Sequence, residues 1–178
     1  HEQAGRVVLG RNRLAEHDER LVVGVEALLG GRTCGEQLLL LLDGGLESEI
    51  YVQRVDAASG MPIGIDDQRI TAIGPTGDPS YFAGAPRVAY NAVADEFLVA
   101  FLATPPEGPG QISDHFEVFA QRLDASTGTE VGPDDFRVSA MGAPEDSGTS
   151  AGHLDLAYGA DSNQYLVVWE GTPDDPRF

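Results

Sequence analysis

Along Glu49–Asp56, EIYVQRVD, apolar and polar positions alternate, placing Ile50, Val52 and Arg54 on one side and Tyr51, Gln53 and Val55 on the other. A period of two is that of a β-strand. The same pattern returns. Residues Glu49–Gly74, EIYVQRVDAASGMPIGIDDQRITAIG, recur at Glu117–Gly142 as EVFAQRLDASTGTEVGPDDFRVSAMG, 68 positions on and without a gap. The offset persists downstream, where RVAY and EFLVAF are answered by LDLAY and QYLVVW, so a whole structural unit is repeated.

Each period predicts four antiparallel strands: RVAY, EFLVAF, EVFAQRLD and a last strand at Phe136–Met141, whose counterpart is Gln68–Ile73. AASG and ASTG carry Gly60 and Gly128 at the same place, as a turn needing positive φ requires. AVAD and GADSN are short enough for hairpins. Upstream, Arg20–Val25 and Leu38–Leu42 read as a degenerate first copy of the RVAY and EFLVAF pair, the leucine run as a strand buried on both faces. Val7–Leu9 suggests a lone strand. The fold class expected is all-β: tandem four-stranded antiparallel blades of β-propeller type, about two and a half repeats. The boundaries read as 1–19, an N-terminal segment; 20–84, a first blade; 85–152, a second; and 153–178, the first half of a third.

The repeats EIYVQRVDAASG and EVFAQRLDASTG, with YNAVADEFLVAF and YLVVW, resemble those of bacterial exported β-propeller-like proteins over roughly residues 36–170. That resemblance implies a propeller fold and an extracellular or cell-surface setting. It implies no activity, because propellers host enzymes, lectins and scaffolds alike. Propellers close with about four blades or more. Two copies and fragments fall short of that, so head-to-tail association into a ring or filament is expected, with RVVLG (Arg6–Gly10) supplying a late strand to an incomplete blade; the alternatives are an excised piece of a longer protein, or an open twisted sheet or sandwich.

Charge narrows the partners. The 178 residues hold 29 Asp and Glu against 11 basic residues, all Arg, for a net charge of −18. Such a surface repels nucleic acid and anionic membranes, while cations, basic partners and neutral glycans stay compatible. The 22 Gly and 11 Pro are spread between short apolar runs, the punctuation of a turn-rich β protein. The apolar run Leu38–Leu42 is far too short to span a bilayer, and a start at His1 without a charged-then-apolar leader suits a processed exported chain. With Cys34 as the single cysteine, no intrachain disulfide and no cysteine-based zinc site can form.

Candidate chemistry is sparse. Both repeats keep Gln53, Arg54 and Asp56 as Gln121, Arg122 and Asp124, and Asp66, Asp67 and Arg69 as Asp134, Asp135 and Arg137. The paired carboxylates Asp66, Asp67, Asp134 and Asp135 are hard-oxygen ligands suited to calcium on a loop. Their structural reading is turn acceptors, with each Arg paired to an Asp across strands. Gly148–Gly152, GTSAG, matches a nucleophile elbow around Ser150 with His153 behind it, but an elbow needs a strand before and a helix after, and here a strand follows. His1, His17, His115 and His153 show no metal-ligand spacing. Tyr81 and Phe82 fall in the Gly- and Pro-rich linker, where exposed rings could stack on a sugar. The reading is a non-enzymatic structural or adhesion module that self-associates; the alternative is a lectin-like module, calcium-dependent if the Asp pairs bind the ion.

Overall fold

The computed structural model describes residues 7–11, 21–25, 28–29, 32–33, 36–42, 48–106, 115–142 and 148–172. The strands are β1 (Val7–Arg11), β2 (Leu21–Val25), β3 (Leu28–Leu29), β4 (Arg32–Thr33), β5 (Glu36–Leu42), β6 (Ile50–Asp56) and β7 (Pro62–Arg69). Then follow β8 (Ala83–Asn91), β9 (Glu96–Ala103), β10 (Glu117–Asp124), β11 (Glu130–Arg137), β12 (Ala151–Gly159) and β13 (Gln164–Gly171). The fold is all-β, and every strand ladder among the described residues is antiparallel.

A first sheet runs β1-β2-β5-β6-β7, a second β11-β10-β9-β8, and β12-β13 form a third of two strands; β3 and β4 make a small ribbon. The second sheet is a plain meander, in which RVAY lies within β8, EFLVAF within β9 and EVFAQRLD is β10. Val7–Leu9 is a strand, but not a lone one. β1 pairs with β2 in register Val7↔Val25 to Arg11↔Leu21, so RVVLG is committed to the first sheet and not to the incomplete third.

The last strand of each unit lies earlier than the alternation of QRITAI and FRVSAM suggests. It spans Pro62–Arg69 and Glu130–Arg137, and Ile70–Ile73 and Val138–Met141 are irregular. The turn explains the shift. Asp56 N–H bonds Met61 O at 2.8 Å and Gly60 N–H returns to Asp56 O at 2.7 Å, with Gly60 at φ +71°, so the chain reverses at once. Gly128 N–H bonds Asp124 O at 2.8 Å with φ +76°, as the sequence predicts for both glycines. Asp56 Oδ1 and Asp124 Oδ1 accept the N–H of Ser59 and Thr127, closing the turns. Hydrogen bonds to Ser59, and to Ser126 and Thr127, hold these two carboxyls below their ordinary pKa.

Two apolar layers separate the sheets. Ile50, Val52, Ile70 and Ile73 pack with Phe97, Val99, Phe101, Phe119 and Leu123 between the first and second sheets. Leu98, Ala100, Leu102, Val118 and Ala120 pack with Leu154, Leu156, Val167 and Trp169 between the second and third. Strand β9 therefore buries both faces, Phe97, Val99 and Phe101 one way and Leu98, Ala100 and Leu102 the other. That is why EFLVAF reads as a continuous apolar run instead of an alternating one. Each such side chain contributes about 1.5–3 kcal/mol on burial, so the two layers dominate cohesion.

Candidate functional site: the repeated polar clusters and the open third sheet

The polar residues shared by the repeats are gathered into two copies of one buried cluster. Glu49 and Glu117, the first letters of the repeated stretch, are buried. Arg69 Nη2 donates to Glu49 Oε1 at 2.5 Å and Ile73 N–H to the same oxygen at 3.1 Å, while Thr71 Oγ1 donates to Oε2. In the second copy Arg137 Nη2 lies 2.6 Å and Met141 N 2.7 Å from Glu117 Oε1, with Ser139 Oγ on Oε2. Thr71 and Ser139 also accept the backbone N–H of Ile50 and Val118. Each carboxylate thus takes one backbone N–H and one hydroxyl of a segment that belongs to no ladder, while Ile70 N–H and Val138 N–H bond Ile50 O and Val118 O, so Ile70–Ile73 and Val138–Met141 are held although irregular. Burial pushes the Glu117 carboxyl up, but the bonds from Ser139, Met141 and Arg137 outweigh it and hold its pKa below the ordinary value.

Arg69, Arg122 and Arg137 each pair with a Glu, a partner the expected pairing of Arg with Asp did not include. Arg69 and Arg137 pair with Glu49 and Glu117, and Arg122 grips Glu96 with Nε at 2.9 Å and Nη2 at 2.6 Å. The glutamates stand at a constant offset in the sequence, and that was the available signal. Their partners lie 20 to 24 residues away, beyond any local period.

Gln53 and Gln121 sit where the β6–β7 and β10–β11 ladders shift register. Their Oε1 atoms accept the N–H of Asp67 at 3.0 Å and Asp135 at 2.9 Å, plugging the bulge with side-chain amide. Asp67 and Asp135 have left-handed backbone, φ 47° and 38°, a conformation Asp tolerates better than most residues. Of the four aspartates considered for calcium, Asp66 and Asp67 lie on β7 and Asp134 and Asp135 on β11, on different sheets. Among the described residues no group of three or more His, Cys, Asp or Glu is gathered as a metal site.

Asp135 ties the sheets together instead: its Oδ2 accepts Ala72 N–H at 2.8 Å, and beside it Gln68 Nε2 donates to Gly128 O at 3.1 Å. Burial raises the Asp135 carboxyl pKa to about 6; the Ala72 bond opposes the rise, Asp134 and Glu130 add to it, and Arg69 opposes it.

The linker aromatics part company. Tyr81 is buried in the core, with Gly74 (φ +80°) over its ring so closely that a Cβ there would fall 2.2 Å from Cγ. It is not the exposed stacking ring its neighbours in sequence suggested. Phe82 stays partly exposed and tilts against Phe116, centroids 5.2 Å apart. Ser150 Oγ accepts Phe116 N–H at 3.0 Å, and β12 begins at Ala151, so GTSAG leads into a strand. His115 is buried 3.4 Å from Glu117; His153 is exposed and pairs with Glu170 at 2.8 Å. His1 and His17 lie outside the described residues.

Contacts between consecutive sheets, and within the hairpins β8–β9 and β12–β13, recur at the 68-residue offset. Ala83 N–H bonds Ser48 O at 2.7 Å and Ala151 N–H bonds Phe116 O at 2.8 Å; Thr104 N–H bonds Phe82 O at 2.9 Å and Thr172 N–H bonds Ser150 O at 3.3 Å. Tyr90 Oη donates to Asp95 at 2.7 Å and Tyr158 Oη to Asn163 at 2.9 Å. The third sheet is the second one's opening half, laid down in the same way. Strand β9 is hydrogen-bonded to β8 and β10, whereas β13, its counterpart, pairs with β12 alone among the described residues. Compared with known families, curated proteins and solved structures, the chain matches none.

Proposed function

We propose that this chain is a non-enzymatic structural or adhesion module of propeller-type blades, extracellular as its resemblance implies, that works by associating with copies of itself. The observation that carries this reading is the second edge of β13, which no described strand takes. A row of backbone donors and acceptors at an edge is a template for another strand, and natural sheets cover or disrupt such edges unless they use them. The polar residues of the repeat support the reading as well. Glu49, Glu117, Gln53 and Gln121 spend their hydrogen bonds on holding strands and loops in place.

In this reading residues 20–84 and 85–152 are two blades and 153–178 opens a third. Strand β1 extends the first blade beside β2 and, among the described residues, no strand other than β12 joins β13 in the third. Light scattering on the purified chain checks the reading. Species heavier than 18.9 kDa, growing with protein concentration in the micromolar range, are expected, and a monodisperse monomer throughout that range contradicts it.

A further inference from the structure

The molecule makes one kind of face-to-face interface twice within itself, and at each end of the series one half of it meets no other described sheet. Leu98 and Ala100 on β9 are 5% and 0% exposed, because the third sheet lies over them. Sixty-eight positions on, Leu166 and Val168 hold the same places on β13, and are 65% and 48% exposed. The opposite face of that hairpin, Tyr165, Val167 and Trp169, is the one turned to the second sheet. At the other end, Phe119 and Leu123 on β10 are buried against the first sheet. Their counterparts on β6 are Tyr51 and Val55, which alternate with the inward Ile50 and Val52 and are only half-buried.

We propose that the Leu166 and Val168 face of β12–β13 docks the Tyr51 and Val55 face of the first sheet of a second copy, head to tail, in the relation that consecutive sheets already have within one chain. The proposal rests on the self-association argued above and names its surfaces. A second copy is the occupant because this chain carries both halves of the interface, each seen packed once within it: the Leu98 and Ala100 half against the third sheet, and the Phe119 and Leu123 half against the first. A heterologous contact of this kind repeats from copy to copy, closing into a ring or continuing as a filament according to the rotation it imposes. Asp155, His153 and Glu170 flank the apolar pair, and His153 and Glu170 already pair with each other, giving the patch a polar rim. With −18 charges on each copy, long-range repulsion opposes approach at low ionic strength, so association strengthens as salt screens it.

The test is sedimentation of the whole chain and of a Leu166→Arg, Val168→Arg double variant, in about 0.02 M and about 0.5 M salt, where the screening length falls from roughly 20 Å to under 5 Å. Both substituted positions are exposed, and circular dichroism checks that the variant keeps its sheets. The wild type is expected to associate more strongly at high salt, and the variant to need roughly tenfold more protein, or not to associate. A second arm mixes Val55→Cys and Leu166→Cys copies in a Cys34→Ser background under oxidation, with a disulfide between the two copies expected. Association that survives the double arginine variant unchanged, or no mixed disulfide, overturns this contact while leaving self-association standing. A wild type that stays monomeric in both salts overturns both.

Discussion

Replacing Glu117 with alanine is expected to destabilise the fold by about 3 kcal/mol, in the range for breaking a buried, hydrogen-bonded charge pair. The carboxylate is fully buried and accepts from Arg137, Ser139 and Met141 N–H. Alanine leaves the Met141 N–H and the Ser139 hydroxyl without their acceptor, while Arg137, a third exposed, can turn part of its guanidinium to water. Glu117→Gln keeps one acceptor and should cost less. The effect depends on pH with a definite sign. Because the folded pKa of Glu117 is lowered, its contribution is present above the unfolded value of about 4.5 and is lost as pH falls through the folded value. Urea unfolding of wild type and Glu117→Ala at pH 7 and in acid checks this. The gap between the curves should narrow in acid, and a gap that is small at pH 7 would mean that the cluster is incidental to stability.

The period was legible in the sequence because it is carried by side chains in fixed places, and the same offset returns in the structure down to single bonds such as Tyr90 to Asp95 and Tyr158 to Asn163. Strands β8, β9 and β10 were legible for the same reason that strands usually are: alternation where one face is wet, and continuous apolar character where neither is. What was not legible came from contacts distant in the chain. ITAI and VSAM alternate like strands, yet the N–H of Ile73 and Met141 and the hydroxyls of Thr71 and Ser139 go to a glutamate more than 20 residues back. No local pattern reports that.

Tyr81 shows the limit from the other side. Its linker is rich in Gly and Pro, the composition of an exposed loop, but Gly74 supplies the gap into which the ring fits. In the second copy the pair is Gly142 over Thr149. Glycine without a partner in view is read as a turn, whereas here it is shaped around a neighbour seven residues away in each unit. The acidic composition was equally ambiguous. It marks the surface, but the two glutamates that matter most for cohesion lie inside.

Asp135→Asn is expected to act in the opposite sense to Glu117→Ala and to stabilise the fold near pH 8. Burial lifts this carboxyl from 3.8 to about 6, helped by Asp134 and Glu130, so keeping it ionised at neutral pH costs free energy. A folded-state pKa above the unfolded one means that the folded chain binds the extra proton between these two values. Stability is therefore greatest below the window and falls as pH rises through it. The full shift corresponds to about 3 kcal/mol, and discounting for the exposed part of the group leaves about 1–2 kcal/mol. Asparagine removes the charge, tolerates the left-handed φ of 38°, and keeps an oxygen for Ala72 N–H. Its amide N–H then replaces Oδ1, a buried atom with no hydrogen-bond partner in the wild type, beside the acidic Asp134 and Glu130. Urea midpoints for both proteins at about pH 8 and about pH 4 decide the matter: a gain for Asp135→Asn at the higher pH that fades at the lower one. If the variant is instead weaker at both, the ionised carboxylate is held mainly by Arg69, and the first two sheets are joined by that attraction more than by the neutral hydrogen bond.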